Sequence, residues 1–279
     1  SNLHLQDTVV GSGALAPLVS VANAADLETQ RCIAYALCNL ASDPSRRIDI
    51  VREGGLPSII SMACSEDQND QRAAMSTLRG ICAIAENRRP VMESAVNDAL
   101  ALGTRAIDVD VRCETASTFC ALSINDDNKL DMAKDDNIIM NLVLLLKETD
   151  VRCLRQAMGA LANISERQET HPSLRRNMVH NEILGHFLAQ DVCIVREACR
   201  IITNMAALHE NHPPIISGGG LKALKAGSKN IDAMTARFAS LGLVNLTSQI
   251  DNHHEVLREN LDEELIDLAL GDPRYFLNL

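Results

Sequence analysis

Aromatic side chains are almost missing from this sequence. Phe, Trp and Tyr make up 2% of its 279 residues, and tryptophan is absent. Hydrophobic residues nevertheless account for 46%. The core must therefore be built from Ala, Leu, Ile, Val, Met and Cys, and we expect it to lie between closely packed helices.

Long apolar runs are also missing. The chain has no stretch of about 18 consecutive apolar residues, the minimum for a helix that spans a bilayer. It does not open on a basic segment followed by an apolar one, as a secretory signal does. The sequence therefore predicts no direct membrane span.

Positive charge is in the minority. Lys and Arg number 26 against 37 Asp and Glu, which gives a formal net charge of −11. Proteins that bind nucleic acid normally present a basic domain or stripe to the phosphates. This charge balance indicates that nucleic acid is not the partner.

Cysteine pairs at metal or redox spacing are missing as well. The nine cysteines include no C-x-x-C pair. Most of them fall on the predicted core faces of helices, where we expect them to be reduced and buried. Reduced cysteines are typical of the cytosol and the nucleus, so we predict a cytoplasmic or nuclear protein.

No set of side chains that would support catalysis stands out. His209-x-x-His212 and His253-His254 follow predicted helices in polar segments. We interpret them as solvated loop histidines rather than as metal ligands. The glycine run at Gly218 lacks the preceding strand and the following Gly-Lys-Ser/Thr of a phosphate-binding loop. The sequence therefore predicts no enzyme, no metal and no cofactor.

A repeated helical unit is what the sequence does contain, and it begins most clearly at Leu27–Ala41. Ile33, Leu37 and Leu40 stand four and then three residues apart, so one face of this segment is apolar and helical. Asp43-Pro44 ends the helix because proline has no N–H to donate.

A second break follows a short helix. Gly54 and Gly55 permit a turn with positive φ, and Leu56-Pro57 opens another helix with proline where its missing donor costs least. The unit therefore holds one long helix, one short helix between the two breaks, and the start of a third helix.

This unit recurs along the chain. The pair Asn39-Leu40 returns at Asn163, Asn204 and Asn245, each followed by an apolar residue. An arginine stands eight residues before each asparagine, and a further one stands eight residues before Gly80. These arginines, several of them 41 residues apart, are Arg31, Arg72, Arg155, Arg196 and Arg237.

These features resemble the armadillo repeat family, whose repeats are about 40–47 residues long. The resemblance covers nearly the whole chain, from about Gly11 to Leu270. It implies an all-α fold: a right-handed α-solenoid of six repeats and a partial seventh, in a single domain over 1–279. The implied repeats are 11–43, 44–86, 87–125, 126–166, 167–208, 209–248 and 249–279.

The resemblance also implies a binding groove. In armadillo proteins the third helices line a groove, and an asparagine there holds the backbone of an extended partner with one donor and one acceptor. We assign this role to Asn39, Asn163, Asn204 and Asn245. Gly80 and Ala121 stand at the corresponding places of repeats two and three. The alternative is that the asparagines brace neighbouring repeats.

The subtype is not that of the nuclear import receptors. Those proteins pair each asparagine with a tryptophan four residues earlier, which stacks on basic side chains. The corresponding residues here are Tyr35, Ser76, Ser117, Gly159, Arg200 and Leu241.

The groove is predicted to carry arginines despite the acidic net charge. Positions eight, four and zero residues before the asparagine share one helix face. The predicted groove residues are therefore the four asparagines together with Arg31, Tyr35, Arg72, Arg155, Arg196, Arg200 and Arg237. They favour an extended partner that carries carboxylates or phosphates. Alternatively, each arginine pairs with acids just before its own helix and merely joins repeats.

The sequence thus predicts a non-catalytic scaffold for protein–protein interaction. The alternative is a structural or regulatory armadillo segment of a larger protein, whose groove is filled by the chain itself or by another copy. Tyr275, Phe276 and Leu277 near the end are compatible with a cap that folds back and with self-association.

Overall fold

The computed structural model of the protein describes residues 14–24 and 26–261. These residues form α-helices and four short 3-10 helices, and no strand occurs among them. The all-α prediction is confirmed. Within the same two ranges, no helix has both the length and the apolar character that a bilayer crossing requires.

The chain divides into two compact units, Ser1–Asn128 and Lys129–Leu279. The described helices of the first are α1 (Leu15–Ala24), α2 (Leu27–Ala41), α3 (Arg47–Arg52), α4 (Leu56–Ala63), α5 (Gln68–Cys82), α6 (Ala85–Glu93), α7 (Val96–Thr104) and α8 (Val109–Leu122). The boundary lies in α9 (Asp126–Lys134), and the second unit continues with α10 (Asp136–Leu145), α11 (Val151–Ser165), α12 (His171–Arg176), α13 (Val179–Leu184), α14 (Val192–Met205), α15 (His212–Ser217), α16 (Gly220–Ser228), α17 (Ala233–Thr247) and α18 (His253–Arg258).

The helices come in sets of three. From α3 to α17, each set has a first helix, a second helix and a long third helix, and α2 is the third helix that precedes them. The third helices are α2, α5 and α8 in the first unit and α11, α14 and α17 in the second. Each third helix packs on the second helix of its own repeat and on the neighbouring third helix of the same unit. Stacking of repeats along each unit is the arrangement expected of a solenoid.

An aspartate starts every one of the third helices. Its carboxylate accepts a hydrogen bond from a backbone N–H in the first turn, as Asp26 does from Thr29 at 3.0 Å. Such N-caps typically contribute about 0.5–2 kcal/mol. The caps recur at intervals of 41 or 42 residues and are Asp26, Asp67, Asp108, Asp150, Asp191 and Asp232.

The core is aliphatic, as the composition predicts. Leu37, Leu161 and Leu243 occupy equivalent places on three third helices, and each has 0% of its surface exposed. The apolar face read from the spacing of Leu27–Ala41 is therefore the buried face.

The cysteines follow the predicted burial only in part. Cys82, Cys113, Cys153 and Cys199 are buried, whereas Cys32 and Cys193 are exposed on third helices. Burial raises the pKa of the thiols of Cys82 and Cys199 to about 12. Those two thiols therefore stay protonated at neutral pH.

Two segments that the sequence assigns to loops are helical. The polar composition of residues 60–70 predicts a loop before Arg72, but α4 continues to Ala63 and α5 begins at Gln68. Residues 167–176, which from the sequence alone resemble an inserted loop, contain a 3-10 turn and α12. Pro172 lies in the first turn of α12, where its missing N–H costs little. This segment is an ordinary first helix.

The turn between first and second helices uses a left-handed backbone conformation. Gly54 and Gly219 have φ of 85° and 88°, as expected for glycine. At the equivalent place of two other repeats stand Met178 and Asn260, each with φ of 51°. The glycine-based prediction missed the turn at Met178 because its residue type does not reveal it.

Replacing Met178 by glycine is expected to raise the free energy of unfolding by about 0.5–1 kcal/mol. The left-handed conformation costs a residue with a side chain about 1–2 kcal/mol, and glycine avoids this cost. Glycine also gives the unfolded chain more conformational freedom, which offsets part of the stability gained. Met178 is 60% exposed, so little packing is lost. Urea unfolding would measure the change.

The matched control for this change is Met140→Gly. Met140 is also exposed, but it lies inside α10. There glycine should destabilise by about 1 kcal/mol because it weakens the helix. Equal destabilisation by both substitutions would contradict the explanation based on φ.

Candidate functional site

The residues predicted to line the groove lie on third helices, and each unit presents its own set. In the first unit, Tyr35 and Asn39 lie on α2 and Ser76 lies on α5. Between the two helices the surface has a depression of about 380 Å³, which these three residues line together with Arg47 and Arg79. Asn39 is exposed, and its side chain makes no hydrogen bond with the described residues.

Tyr35 is fixed by a cluster of charges at one end of this depression. Its hydroxyl donates to the Asp70 carboxylate at 2.6 Å, and Arg31 Nε donates to the same group at 2.9 Å. Burial alone would raise the pKa of Asp70, but the hydrogen bonds from Tyr35 and Arg31 outweigh it and hold this pKa below its usual range. The tyrosine ring is therefore held in one position.

The predicted arginines join successive repeats. Each binds the N-cap aspartate of the next third helix, 36 residues further along the chain. We call these contacts the arginine–aspartate links. They are Arg31–Asp67 at 3.1 Å and Arg72–Asp108 at 2.6 Å in the first unit, and Arg155–Asp191 at 3.1 Å and Arg196–Asp232 at 2.7 Å in the second.

The alternative pairing considered from the sequence, with acids before the same helix, is wrong for these four arginines. The carboxylates belong to the following repeat, whose cap is within reach because neighbouring third helices pack side by side. Hydrogen bonds from the arginines lower the pKa values of Asp191 and Asp232. A partner that approached these arginines would meet ion pairs rather than isolated cations.

Asp150 is held differently. Cys113 stands where the other repeats have the linking arginine. Asp150 instead pairs with Arg152 of its own helix at 2.8 Å. Hydrogen bonds from the Arg152 side chain and backbone lower the pKa of Asp150 to about 2.

The asparagines of the second unit make contacts within the stack. Asn204 Nδ2 donates to Ser165 Oγ at 3.0 Å, and Asn245 Nδ2 donates to the Thr203 carbonyl at 3.2 Å. Asn163 Oδ1 accepts from Arg200. These three contacts brace neighbouring repeats, whereas Asn39 in the first unit has no such contact among the described residues.

Arg200 is enclosed by acids. Its guanidinium binds Glu166 at 3.1 Å and Glu197 at 2.9 Å. Burial raises the pKa of Glu197, and it outweighs the positive charges of Arg200 and Arg196, which lower this pKa. Arg237, the remaining predicted groove arginine, lies exposed on α17.

Comparison with known proteins rests on structure, because no protein-family model and no curated protein sequence matches this chain. An engineered protein superposes with a TM-score of 0.72 at 24% identity, over 84% of this chain and 97% of that one. The designed armadillo repeat protein YIII(Dq)4CqI superposes with a TM-score of 0.71 at 17% identity, over 83% of this chain and 99% of that one.

The chain has an armadillo-like repeat fold. A further designed armadillo repeat protein with a TM-score of 0.71 was solved in complex with the peptide (KR)4; it is 17% identical, over 83% of this chain and 99% of that one. The predicted fold class is thereby confirmed, with three helices in each repeat.

A second set of polar residues in this armadillo-like fold escaped the sequence analysis. At the start of each described first helix from α6 onward, a buried amide or hydroxyl donates to the backbone carbonyl six residues earlier, at the end of the preceding third helix. The donors are Asn87, Asn128, Thr170, Asn211 and Asn252. Their spacing of 41 or 42 residues was the signal that could have found them.

Two histidines extend this set, and the prediction that His212 is a solvated loop residue is wrong. His212 is buried, its Nε2 lies 2.9 Å from the Ala206 carbonyl, and its Nδ1 lies 2.9 Å from Asn252 Nδ2. His171 repeats this geometry with Ser165 and Asn211. Within residues 14–24 and 26–261, no group of three or more His, Cys, Asp and Glu side chains is arranged to hold a metal.

Lowering the pH from about 7 to about 5 is expected to destabilise the protein. Burial lowers the pKa values of His171, His180 and His186. The unfolded chain therefore takes up protons near pH 6.5 while the folded protein does not, and stability present above that pH is lost as the pH falls. Each such histidine steepens the loss by up to about 1.4 kcal/mol per pH unit.

Urea unfolding at several pH values would measure this slope. His171→Gln should make it shallower, because the variant has one buried histidine fewer. A slope that stayed the same in His171→Gln would assign the pH dependence to other groups.

Proposed function

We propose that this protein is a non-catalytic scaffold that binds an extended segment of a partner protein along its third helices. The observation that carries the proposal is the depression between α2 and α5, where the exposed amide of Asn39 has no hydrogen-bonding partner among the described residues. An amide offers one donor group and one acceptor, which matches the backbone of an extended peptide. The designed armadillo repeat protein solved with a peptide supports this use of the fold.

The proposed binding surface in the first unit consists of Tyr35, Asn39, Ser76 and Arg79. Arg31 and Arg72 lie beside it. The proposed surface of the second unit, considered by itself, consists of Arg155, Arg196 and Arg200 with the donors that their ion pairs leave unused. The partner is a protein segment in the cytosol or the nucleus. It is acidic or phosphorylated, because Arg47 lines the depression and its guanidinium binds only backbone carbonyls, while no carboxylate is among the lining residues.

The test uses a library of displayed random peptides, selected on the wild-type protein and then measured against variants. Ser76→Tyr should abolish binding of the selected peptides because the phenol ring fills the depression. Asn39→Ala should weaken binding about tenfold or more without changing the melting temperature, since the amide has no bond in the folded chain. The matched control is Leu102→Tyr on the second helix α7, whose side chain is already exposed. Selected peptides that bound Ser76→Tyr as tightly as the wild type would place the site elsewhere.

The second candidate function, self-association, rests on α17. Met234, Leu241 and Val244 are exposed there. The residues equivalent to Val244 on α11 and α14, Ala162 and Thr203, are buried under the next repeat. A second copy of the chain that packed on this apolar face would bury these side chains. Sedimentation equilibrium of the wild type and of Leu241→Glu tests it: a dimer that the variant abolishes would support self-association.

A further inference from the structure

Repeats two and three differ from the others in a correlated way. They have Gly80 and Ala121 in place of the third-helix asparagine, and at one place in their first helices they carry Arg47 and Arg88. The residues at this place in the following repeats are Lys129, His171, His212 and His253. Arginine therefore occurs where the asparagine is missing.

Arg47 occupies the space that a larger third-helix residue would need. Its Nε donates to the Ala41 carbonyl at 2.8 Å and its Nη1 donates to the Gly80 carbonyl at 3.0 Å. Its Cζ lies 3.1 Å from the position that a Cβ on Gly80 would take. The half-buried guanidinium thus forms one wall of the depression beside Asn39.

Arg88 repeats this arrangement one repeat further on. Its Nε donates to the Cys82 carbonyl at 3.1 Å, and its Nη2 lies 3.4 Å from the Ala83 carbonyl. Arg88 is also half-buried. The two arginines are 41 residues apart and their Nε atoms bind equivalent carbonyls. The second bond differs, because Arg47 reaches Gly80 on the next third helix whereas Arg88 bonds to Ala83 just after the preceding one.

Neither guanidinium has a counter-ion among the described residues. Both bind only backbone carbonyls, whereas Lys129 at the equivalent place binds Glu166 at 2.7 Å. The charge of Arg47 contributes to lowering the pKa of Asp43, but hydrogen bonds from Ser45 dominate that shift and Asp43 forms its ion pair with Arg46. An arginine cannot shed its proton, so each site keeps an uncompensated positive charge and unused N–H donors.

We propose that Arg47 and Arg88 form a two-point anion site that takes two carboxylates of an extended acidic peptide. This inference rests on the proposed function and names the chemistry of its partner. Arg47 and Asn39 line the same depression, so the guanidinium would bind a side chain while the amide binds the backbone. A half-buried guanidinium makes stronger bonds to a carboxylate than a fully hydrated one does.

The distance between Arg47 and Arg88 determines how many residues separate the two carboxylates in the peptide. Neighbouring packed helices lie about 8–10 Å apart, and an extended chain rises about 3.3 Å per residue. The two carboxylates therefore stand two or three residues apart in the partner. Arg79 on the same surface is already paired with Glu114 and adds no net charge.

Fluorescence anisotropy with three labelled peptides tests the site. The probes are (Glu-Glu-Ala)3, which offers carboxylates two and three residues apart, its neutral counterpart (Gln-Gln-Ala)3 and the basic (Lys-Lys-Ala)3. The variants are Arg47→Gln, Arg88→Gln and Gly80→Asn. Arg52→Gln is the matched control, because Arg52 lies on the same short helix as Arg47, is 68% exposed and pairs with Asp49.

We expect the wild type to bind the acidic peptide at least tenfold more tightly than the neutral one, and less tightly as salt is added. Arg47→Gln and Arg88→Gln should each weaken binding at least tenfold, whereas Arg52→Gln should stay within twofold. Gly80→Asn keeps every charge but fills the space beside Arg47, so it should also weaken binding. It keeps the hypothesis testable if Arg47→Gln fails to fold.

Three results would overturn the anion site. Tighter binding of the neutral or the basic peptide would show that the surface binds peptides of other chemistry, and the proposed function would stand. Equal effects of Arg47→Gln and Arg52→Gln would assign the attraction to general surface charge. Failure of all three peptides to bind would also reject the site, and the displayed library would then decide separately whether the protein binds peptides at all.

Discussion

Leu161→Ala is expected to lower the free energy of unfolding by about 2–5 kcal/mol, the range found when a buried leucine is truncated in a core. Leu161 lies on α11 with 0% of its surface exposed. The third helix α14 and the second helix α10 pack against α11, so the surroundings have little room to collapse into the space that the substitution leaves. Urea unfolding followed by circular dichroism would measure the loss.

Leu188→Ala is the control for this prediction. Leu188 is in the same unit but is 90% exposed, and its truncation should change stability by less than about 0.5 kcal/mol. If the two variants unfolded at the same urea concentration, the buried face assigned to α11 would be incorrect.

Asn211→Ala is expected to cost about 2–4 kcal/mol, because it removes three interactions inside the stack at once. Asn211 has 0% of its surface exposed. Its Nδ2 donates to the Met205 carbonyl at 2.8 Å and lies 3.3 Å from His171 Nδ1, and its Oδ1 accepts from Arg175 at 2.9 Å. The substitution leaves a buried carbonyl and a guanidinium without these partners.

The comparison variant is Asn137→Ala. Asn137 is exposed in the first turn of α10, so its loss should change stability by less than about 0.5 kcal/mol. A negligible effect of Asn211→Ala would mean that water replaces the amide and that the set of buried amides does not hold successive repeats together.

The third helices could be predicted, and the first of them to the residue. For the helices at Gln68–Cys82 and Val151–Ser165 the sequence predicts starts at Arg72 and Leu154, which are four and three residues late. The sequence predicts a helix over Leu27–Ala41, and the structure contains it with the same bounds. A long amphipathic segment with a cap at its start and Asp43-Pro44 after its end carries its own boundary signals. The helices at Val109–Leu122 and Val151–Ser165 also begin directly after a capping aspartate.

The short first helices could not be predicted as well. The helix at His171–Arg176 has six residues, too few to display a helical period of apolar positions. The sequence therefore predicts a loop there. His212 was misplaced for the same reason, because its burial depends on the preceding third helix rather than on its own neighbours in sequence.

The candidate site was predictable as a set of positions but not as a set of contacts. The 41-residue recurrence placed Asn39, Asn204 and Arg196 on third helices. It did not reveal that Asn204 is bonded to Ser165 or that Arg196 binds a cap 36 residues later. Such partners lie in the neighbouring repeat, and their identity follows only once the stacking of helices is known.

The arginine–aspartate links make one repeat interchangeable with another. Arg155 recognises the cap of whichever third helix follows it, and the caps Asp191 and Asp232 are 41 residues apart. Excision of the 41 residues from Asp191 to Ile231 would bring Asp232 to the same 36-residue distance from Arg155 that Asp191 has now. The link itself therefore does not depend on which repeat follows, and a change in length by this whole repeat would preserve it.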